Sequence, residues 1–295
     1  MAKISIIGAG SWGTALGLLL CNNGHDVTIC SENEKEIESL KEHREHLTKL
    51  PGVKLPDEMK FTCDVRGSLS GKDILVMAKA SPYVRTTCKK YAADIPDGQL
   101  IVNVAKGVEA DTLMTMSQII EEEVPGANVV VLSGPSHAEE VGRGLPTTIV
   151  VGAHDRESAL YVQNVFMSPV FRVYTSPDIT GIELGGALKN VIALAAGTAD
   201  GLGYGDNTKA ALITRGIAEI ARLGTAMGAH AETFYGLSGI GDLIVTCASV
   251  HSRNRKAGYL IGQGRTMQQA MDEVQMIVEG CLLYTSPSPR DISGS

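Results

Sequence analysis

The chain has few aromatic residues and no excess of positive charge. Phe, Trp and Tyr make up 4% of its 295 residues, and the 26 Lys and Arg are outnumbered by 33 Asp and Glu. Nucleic-acid surfaces combine basic patches with aromatic side chains that stack on bases. Because the net charge is -7, the sequence predicts no nucleic-acid partner, and an anionic ligand needs a local basic site.

The usual patterns of metal, disulfide and membrane proteins are also missing. The six Cys contain no Cys-x-x-Cys pair, and the seven His contain no His-x-His or His-x-x-x-His cluster. We therefore expect reduced, buried thiols and no metal site. We find no stretch of about 18 apolar residues and no signal-peptide core, which predicts a cytoplasmic protein without stable membrane insertion.

The patterning of apolar residues predicts two domains. Up to about residue 180, short β-branched runs such as KISIIG, HDVTICS and NVVVLSGP alternate with helix-like stretches. Strands that are apolar on both faces and alternate with helices predict an α/β domain over residues 1–180, with a doubly wound, mostly parallel, Rossmann-type sheet. Over residues 181–280, Ala, Gly, Leu and Ile recur at helical spacing and predict an all-α domain. Residues 281–295 are rich in Ser and Pro, and we expect a disordered tail.

The turn after the first predicted strand has the spacing of a dinucleotide-binding loop. Gly8, Gly10 and Gly13 occur in IGAGSWG, between a strand and a helix, and a second strand follows. In this fingerprint the first glycine forms the tight turn, the second lets a pyrophosphate approach the backbone, and the third packs the helix against the strand. The alternative is a glycine-rich turn without a ligand.

The end of the second predicted strand selects between NAD and NADP in such folds. An acidic residue there binds the ribose 2′-hydroxyl of NAD, whereas an Arg accommodates the 2′-phosphate of NADP. This chain has Glu32 in the segment ICSENEK. We therefore expect NAD or NADP as the cofactor, with NAD favoured.

The stretch ELGGALKNVIALAAG places Lys189 and Asn190 among small and apolar residues. Burial lowers the pKa of an ammonium group and makes it a better proton donor near neutral pH. Lys189 is therefore a candidate for protonating a ketone carbonyl during hydride transfer, and Asn190 is a candidate for orienting Lys189 or the substrate by hydrogen bonding. The alternative is a lysine that extends to solvent from a buried helix.

Three further motifs offer groups for a phosphorylated substrate, each with a structural alternative. The run SRN at 252–254 offers a hydroxyl, a guanidinium and an amide to a phosphate, or forms a solvated basic loop. Asp242 accepts a hydrogen bond from the substrate or orients the candidate lysine, or else it caps a helix. Ser136, in SGPSHAEE, closes over the ligand or takes part in a capping box.

Five motifs in order closely resemble the bacterial NAD(P)-dependent glycerol-3-phosphate dehydrogenases. They are GAGSWGTAL, NVAKGVE, LSGPSHAEEV, GALKNVIALAAG and GLSGIGDLIVTCAS with SRN, and the resemblance spans about residues 3–280. It implies reversible NAD(P)H-dependent reduction of dihydroxyacetone phosphate to sn-glycerol 3-phosphate, which supplies glycerophospholipid synthesis. It also implies a Rossmann domain, a helical domain, an active site between them, a small phosphorylated substrate and a homodimer.

The resemblance implies roles for individual residues. Lys189 is implied to be the catalytic proton-transfer residue and a substrate contact, and Lys106 is implied to be shared by the substrate and cofactor sites. The other implied substrate contacts are Gly134, Ser136, Asp242, Ser252, Arg253 and Asn254. The other implied cofactor contacts are Gly8, Gly10, Ser11, Trp12, Gly13, Glu32, Ala138, Arg253, Ile277 and Glu279.

The chain departs from the family pattern at three places. Glu32 stands where many members carry a basic residue or His, which argues against NADP, and His137 stands where an aromatic residue is common. The family continues with several helices after VEG, so we expect the helical domain to be incomplete. Two alternatives stay open: a related 3-hydroxyacid or 6-phosphogluconate-type dehydrogenase, and a dinucleotide-binding protein without catalysis.

Overall fold

The computed structural model describes residues 1–275 and 277–284, with the backbone alone for 282–284. The chain forms two compact units. The first comprises Met1–Ala105 and Met116–Ile179, and the second comprises Lys106–Thr115 and the described chain from Thr180 onward. The prediction for the first domain was wrong for residues 106–115. These residues join the helical unit because Val108 packs against its buried core.

An eight-stranded sheet runs through the first unit. The strands of this unit are β1 (Lys3–Ile7), β2 (Asp26–Cys30), β3 (Glu45–His46), β4 (Leu50–Lys54), β5 (Lys60–Thr62), β6 (Ile74–Met77), β7 (Leu100–Asn103), β8 (Asn128–Ser133), β9 (Thr147–Ala153) and β10 (Phe171–Ser176). The sheet order is β10-β9-β8-β7-β6-β1-β2-β5, and β3 and β4 form a separate antiparallel pair. Neighbours in the large sheet are parallel except β8 and β9. The predicted Rossmann-type, mostly parallel sheet is confirmed.

The helices of the first unit have local reasons to form where they do. They are α1 (Ser11–Asn22), α2 (Glu34–His43), α3 (Val65–Leu69), α4 (Val84–Tyr91), α5 (Met116–Glu123), α6 (Ala138–Gly142) and α7 (Arg156–Phe166). The side chains of Asn33, Asp64 and Asp155 accept hydrogen bonds from the first turns of α2, α3 and α7. Helix α1 is apolar along most of its length and contributes Leu16 and Leu20 to the core beside β1.

The second unit is helical, as predicted. Its helices are α8 (Ile179–Gly201), α9 (Asp206–Ala226), α10 (Ala231–Phe234), α11 (Asp242–Ala248), α12 (Arg253–Gly262), α13 (Met267–Val274) and α14 (Glu279–Tyr284), and a π-helical turn, Leu237–Gly241, leads into α11. The prediction of a disordered tail from residue 281 was wrong for 281–284. Those residues continue α14, and Cys281 is buried against apolar neighbours. The rest of the predicted tail, 285–295, lies outside the described residues.

The prediction that no segment of the chain has the length and composition of a membrane span was wrong for helix α8. It has 23 residues and a window of mean hydropathy 1.3, and 72% of that window is buried inside the structure. Two charged side chains, Glu183 and Lys189, lie in the first half of the helix, and they are too few to lower its mean hydropathy strongly. The same composition is typical of the central helix of a globular unit, because such a helix is surrounded by apolar neighbours.

Helices α8 and α12 touch through their backbones at glycines. A Cβ atom added at Gly258 would lie 2.0 Å from the carbonyl oxygen of Leu194, and one added at Gly197 would lie 2.0 Å from that of Arg255. Both positions therefore require glycine, since backbone atoms cannot move aside as a side chain can. This contact brings the start of α12 close to the middle of α8.

We expect Gly258→Ala to lower the free energy of unfolding by about 1–3 kcal/mol, because its methyl group forces α8 and α12 apart. Gly205→Ala is the matched control. Gly205 is the N-cap of α9, has an ordinary negative φ and has no atom within 4 Å of an added Cβ. Its variant should lose less than about 1 kcal/mol, because alanine is only a poorer N-cap than glycine and meets no steric contact. Urea denaturation followed by circular dichroism measures both, and equal effects would contradict the close contact.

Candidate functional site

The glycine turn between β1 and α1 has the shape that a dinucleotide requires. Gly8 has φ of +121°, and its N–H donates to the Cys30 carbonyl oxygen at 2.9 Å. A Cβ atom at Gly13 would lie 2.3 Å from the Gly8 carbonyl oxygen, whereas nothing lies within 4 Å of one added at Gly10. Ser11 and Trp12 form the start of α1. The turn is thus tightly packed on the side of the helix and open at Gly10, where a pyrophosphate could approach the backbone.

Glu32 follows β2, and two side chains at the end of α4 hold it. The Tyr91 hydroxyl donates to its Oε1, and the Lys90 ammonium lies 3.0 Å from the same oxygen. These contacts, with that of Tyr91 the stronger, lower the pKa of Glu32, so the group is a carboxylate at neutral pH. Sequence reasoning identified Glu32 but missed its partners, because about sixty residues separate them and no motif joins them.

The end of β8 carries three more predicted site residues. Gly134 has φ of +143°, and its carbonyl oxygen accepts a hydrogen bond from the Ser136 hydroxyl at 2.9 Å. Ala138 begins α6, and the residue before it, His137, makes no capping bond with its side chain. The alternative of Ser136 as a helix cap is therefore wrong. Because β1, β2, β6, β7 and β8 are parallel, the glycine turn, Glu32 and Gly134 all follow strands that end at the same edge of the sheet.

A buried carboxylate joins two lysines in the helical unit. The Lys106 ammonium donates to Oδ2 of Asp242 at 2.7 Å, and the Lys189 ammonium donates to Oδ1 of the same carboxylate. Asp242 is 1% exposed and Lys189 is 6% exposed. The alternatives of a lysine extended to solvent and of an aspartate that caps α11 are therefore wrong. Two ammonium groups and one carboxylate leave this cluster with an excess of one positive charge.

Burial and charge act in opposite directions on these groups. Burial lowers the pKa of Lys189 to about 8; the carboxylate of Asp242 opposes this and the charge of Lys106 assists it. Burial raises the pKa of Asp242, but the two ammonium groups outweigh burial and hold it below its ordinary value. At neutral pH the cluster thus contains a carboxylate and an ammonium whose proton is held less firmly than that of an exposed lysine.

Thr246 is a member of this cluster that sequence reasoning missed. Its Oγ1 accepts a hydrogen bond from the Lys189 ammonium at 2.9 Å and donates to the Asp242 main-chain oxygen at 2.6 Å. Thr246 lies four residues after Asp242 on α11, so both side chains are on one face of that helix. That spacing was the signal that would have identified it.

The SRN segment begins α12, and its residues serve different structural purposes. The Ser252 hydroxyl accepts a hydrogen bond from the Arg255 N–H and caps the helix. The Asn254 amide is buried, donating to Oδ1 of Asn190 at 3.0 Å and accepting from the Gly280 N–H at 2.8 Å. The description of this segment as a solvated loop is therefore wrong. Asn190, which we expected to orient Lys189 or the substrate, connects α8 to Asn254.

Arg253 and the late cofactor candidates lie near one another. A guanidinium nitrogen of Arg253 is 3.9 Å from a carboxylate oxygen of Glu279, at the start of α14. Ile277 is half-buried two residues earlier. The structure therefore brings Lys106, Lys189 and Asp242 into one cluster and Arg253 and Glu279 into a second contact within the helical unit. The glycine turn, Glu32, Gly134, Ser136 and Ala138 belong to the first unit.

Comparisons with known proteins cover nearly the whole chain. Residues 3–159 match the family described as the N-terminus of NAD-dependent glycerol-3-phosphate dehydrogenase, and residues 178–286 match the family described as its C-terminus. A glycerol-3-phosphate dehydrogenase (NAD(P)+) of Agathobacter rectalis is 65% identical over 280 residues, which are 95% of this chain and 83% of that protein. One from Fusobacterium nucleatum is 61% identical over 290 residues, with 98% and 86% covered.

Comparison with solved structures also finds a glycerol-3-phosphate dehydrogenase. The crystal structure of glycerol-3-phosphate dehydrogenase from Coxiella burnetii is similar to this chain with a TM-score of 0.92 and 33% sequence identity. The similarity covers 96% of this chain and 86% of that one.

We expect Thr246→Val to lower the free energy of unfolding by about 1–2 kcal/mol, because the Lys189 ammonium loses an acceptor that water cannot easily replace. Thr214→Val on α9 is the matched control. Its hydroxyl also donates to a main-chain oxygen, that of Ala210, but the residue is exposed. The control should change stability by less than about 0.5 kcal/mol. Denaturation in urea compares the two, and a Thr246 variant as stable as the control would contradict the hydrogen bond.

Proposed function

The chain belongs to the NAD-dependent glycerol-3-phosphate dehydrogenase family, and we propose that it interconverts dihydroxyacetone phosphate and sn-glycerol 3-phosphate. The resemblance drawn from the five sequence motifs is thus confirmed. The cofactor is NAD or NADP, as in the names of the curated relatives. The reaction supplies the backbone of glycerophospholipids. The observation that carries the proposal is the buried, positively charged cluster of Lys106, Lys189 and Asp242.

The first unit contains residues that fit the cofactor. The open backbone at Gly10 and the first turn of α1, with Ser11 and Trp12, would hold the pyrophosphate through N–H groups and the positive end of the helix. The Glu32 carboxylate would accept hydrogen bonds from the ribose hydroxyls, which favours NAD over NADP. When bound, the reduced cofactor supplies the hydride that reaches the ketone carbon.

Lys189 supplies the proton that the reaction needs. Hydride addition places negative charge on the carbonyl oxygen of the substrate, and that charge must be neutralised. A buried ammonium with a pKa of about 8 is mostly protonated at neutral pH and releases its proton more readily than an exposed lysine. Asp242 and Thr246 hold this ammonium in place through their oxygens. In the reverse direction, neutral Lys189 accepts the proton of the hydroxyl group.

The remaining positive charges suit the phosphate of the substrate. The Lys106 side chain is 19% exposed. The excess positive charge of the cluster is therefore accessible to an anion at this residue. Arg253 offers a planar guanidinium at the start of α12, where the helix end also favours negative charge. We assign Gly134, Ser136, Ser252 and Asn254 to the substrate site, and Ala138, Ile277 and Glu279 to the cofactor site, on the family motifs alone.

The setting of the enzyme follows from its chemistry. We propose that it acts in the cytoplasm, since its substrate is a small phosphorylated metabolite and its cofactor is a diffusible dinucleotide. The acidic net charge of -7 argues against nucleic acid as a partner. The burial of α8 argues against stable membrane insertion. We also propose a homodimer, on the resemblance to the family.

The wild type should oxidise NADH when dihydroxyacetone phosphate is added, with NADH used better than NADPH. Lys189→Ala should lower kcat by about 10²–10⁴-fold, because the carbonyl oxygen loses its proton donor, while NADH binding persists. Absorbance of the reduced nicotinamide measures turnover with each cofactor.

Lys256→Ala is the control for this experiment, since that lysine is exposed on α12. It should leave kcat unchanged. Tight NADH binding without turnover by the wild type would instead support a dinucleotide-binding protein without catalysis. A clear preference for NADPH would contradict the role given to Glu32.

The two directions of the reaction should respond oppositely to pH. Ketone reduction requires protonated Lys189, so its kcat/KM should fall as pH rises through about 8. Oxidation of glycerol 3-phosphate requires neutral Lys189, so its kcat/KM should rise over the same range. Initial rates measured in both directions between pH 6.5 and pH 9.5, about 1.5 units on either side of the pKa, test this. Parallel profiles in the two directions would rule out Lys189 as the titrating group.

A further inference from the structure

We propose that Tyr91 and Lys90, both in contact with Glu32, set the discrimination between NADH and NADPH. Tyr91 favours the binding of NADH, and Lys90 favours the binding of NADPH. Tyr91 orients the carboxylate toward the ribose hydroxyls of NADH, and Lys90 supplies a cation that lessens the repulsion of the NADPH phosphate. The inference rests on the proposed function in so far as Glu32 receives the adenosine ribose. Tyr91 is a positioning residue, since it acts through Glu32.

Both partners bind one oxygen of the carboxylate. The Tyr91 hydroxyl and the Lys90 ammonium contact Oε1 of Glu32, and among the described residues no hydrogen bond or ion pair is found at its Oε2. The Glu32 side chain is 49% exposed. One oxygen is therefore anchored, and the other remains free to accept hydrogen bonds from two neighbouring hydroxyl groups, as a ribose offers.

The anchor itself is firmly held. Tyr91 is 4% exposed, and its ring contacts two cations, with the Arg66 guanidinium 5.6 Å and the Lys90 ammonium 5.4 Å from its centroid. Arg66 is in turn paired with Asp94 and donates to the Lys90 carbonyl oxygen. The hydroxyl of Tyr91 therefore has little freedom to follow a moving carboxylate. An exposed glutamate without such a partner would lose side-chain entropy each time a ribose bound.

Lys90 affects the other cofactor. Its ammonium is 52% exposed and is held by an exposed ion pair with Glu32 and by its contact with the Tyr91 ring, so it can turn toward a new anion at modest cost. A 2′-phosphate beside Glu32 would meet one negative charge from the carboxylate and one positive charge from Lys90. Removal of that cation leaves the repulsion unopposed. Tyr91 and Lys90 are consecutive residues whose side chains contact the same Glu32 carboxylate. Substitution of one should shift the preference between NADH and NADPH in the opposite direction to substitution of the other.

Dissociation constants for NADH and NADPH, measured by quenching of the single tryptophan, Trp12, test the inference without any turnover. Tyr91→Phe keeps the ring and its cation contacts and removes only the hydroxyl. It should weaken NADH binding about threefold to tenfold and leave NADPH binding within about twofold. Lys90→Met should weaken NADPH binding by a similar factor and leave NADH binding unchanged.

Two matched variants are the controls. Tyr161→Phe removes a hydroxyl from an exposed tyrosine on α7, and Lys89→Met removes the neighbouring cation on α4, which pairs with Glu123 instead of Glu32. Neither should change the ratio of the two dissociation constants. Tyr91→Phe should also have no effect on that ratio in the Glu32→Gln background, because the hydroxyl acts only through the ionised carboxylate.

The inference is overturned if Tyr91→Phe weakens both cofactors equally or neither, or if its effect is the same in the Glu32→Gln background. If Tyr91→Phe does not fold, as judged by its melting temperature, the comparison of Lys90→Met with Lys89→Met decides the question. Equal ratios of the NADH and NADPH dissociation constants in these two variants would contradict the proposal. These constants are measured without dihydroxyacetone phosphate. Lack of turnover by the wild type would therefore contradict the proposed function and leave the binding result standing.

Discussion

The helical unit depends on one buried carboxylate, that of Asp242, which holds two ammonium groups. An isolated charge in this apolar interior would be strongly unfavourable, so the pairing is what allows Lys106 and Lys189 to lie where they do. The two lysines come from a segment near residue 106 and from α8, and Asp242 itself begins α11. The same interaction orders three parts of the chain and creates an excess of positive charge. The ion pairs of Asp242 thus stabilise the structure and also hold the candidate proton donor, Lys189.

The first unit follows a different principle, in which the backbone matters more than buried charge. Its tight turn at Gly8 and the close contact at Gly13 depend on the absence of side chains, and the open position at Gly10 leaves main-chain groups accessible. The charged group at the candidate cofactor site is Glu32, an ionised carboxylate that two residues of α4 contact. A dinucleotide has a negative phosphate region and a neutral ribose, and the chain offers N–H groups to the first and a carboxylate to the second.

Most of the architecture could be predicted because apolar periodicity is local. The runs KISIIG, HDVTICS and NVVVLSGP, which form β1, β2 and β8, were recognisable from their own residues, and so was the helical spacing of the second unit. The short strands β3, β4 and β5 were missed because two to five residues do not establish a period, and neighbours decide whether they pair. Residues 106–115 were assigned to the wrong unit because their few apolar side chains carry no information about the core that they join. Helix α8 was underestimated because its Gly and Ala are less apolar than Leu.

The amino-acid sequence alone determined which chemical groups this protein possesses and in what order: the glycine turn, the acidic residue after β2, the lysine within an apolar helix and the SRN segment. Only the tertiary structure decided which of them meet. It joined Lys106, Lys189 and Asp242, added Thr246, turned Asn254 toward Asn190 and Gly280, and placed Tyr91 on Glu32. The physical reason is that hydrogen bonds and ion pairs act over a few ångströms in space, whereas motifs record only distance along the chain.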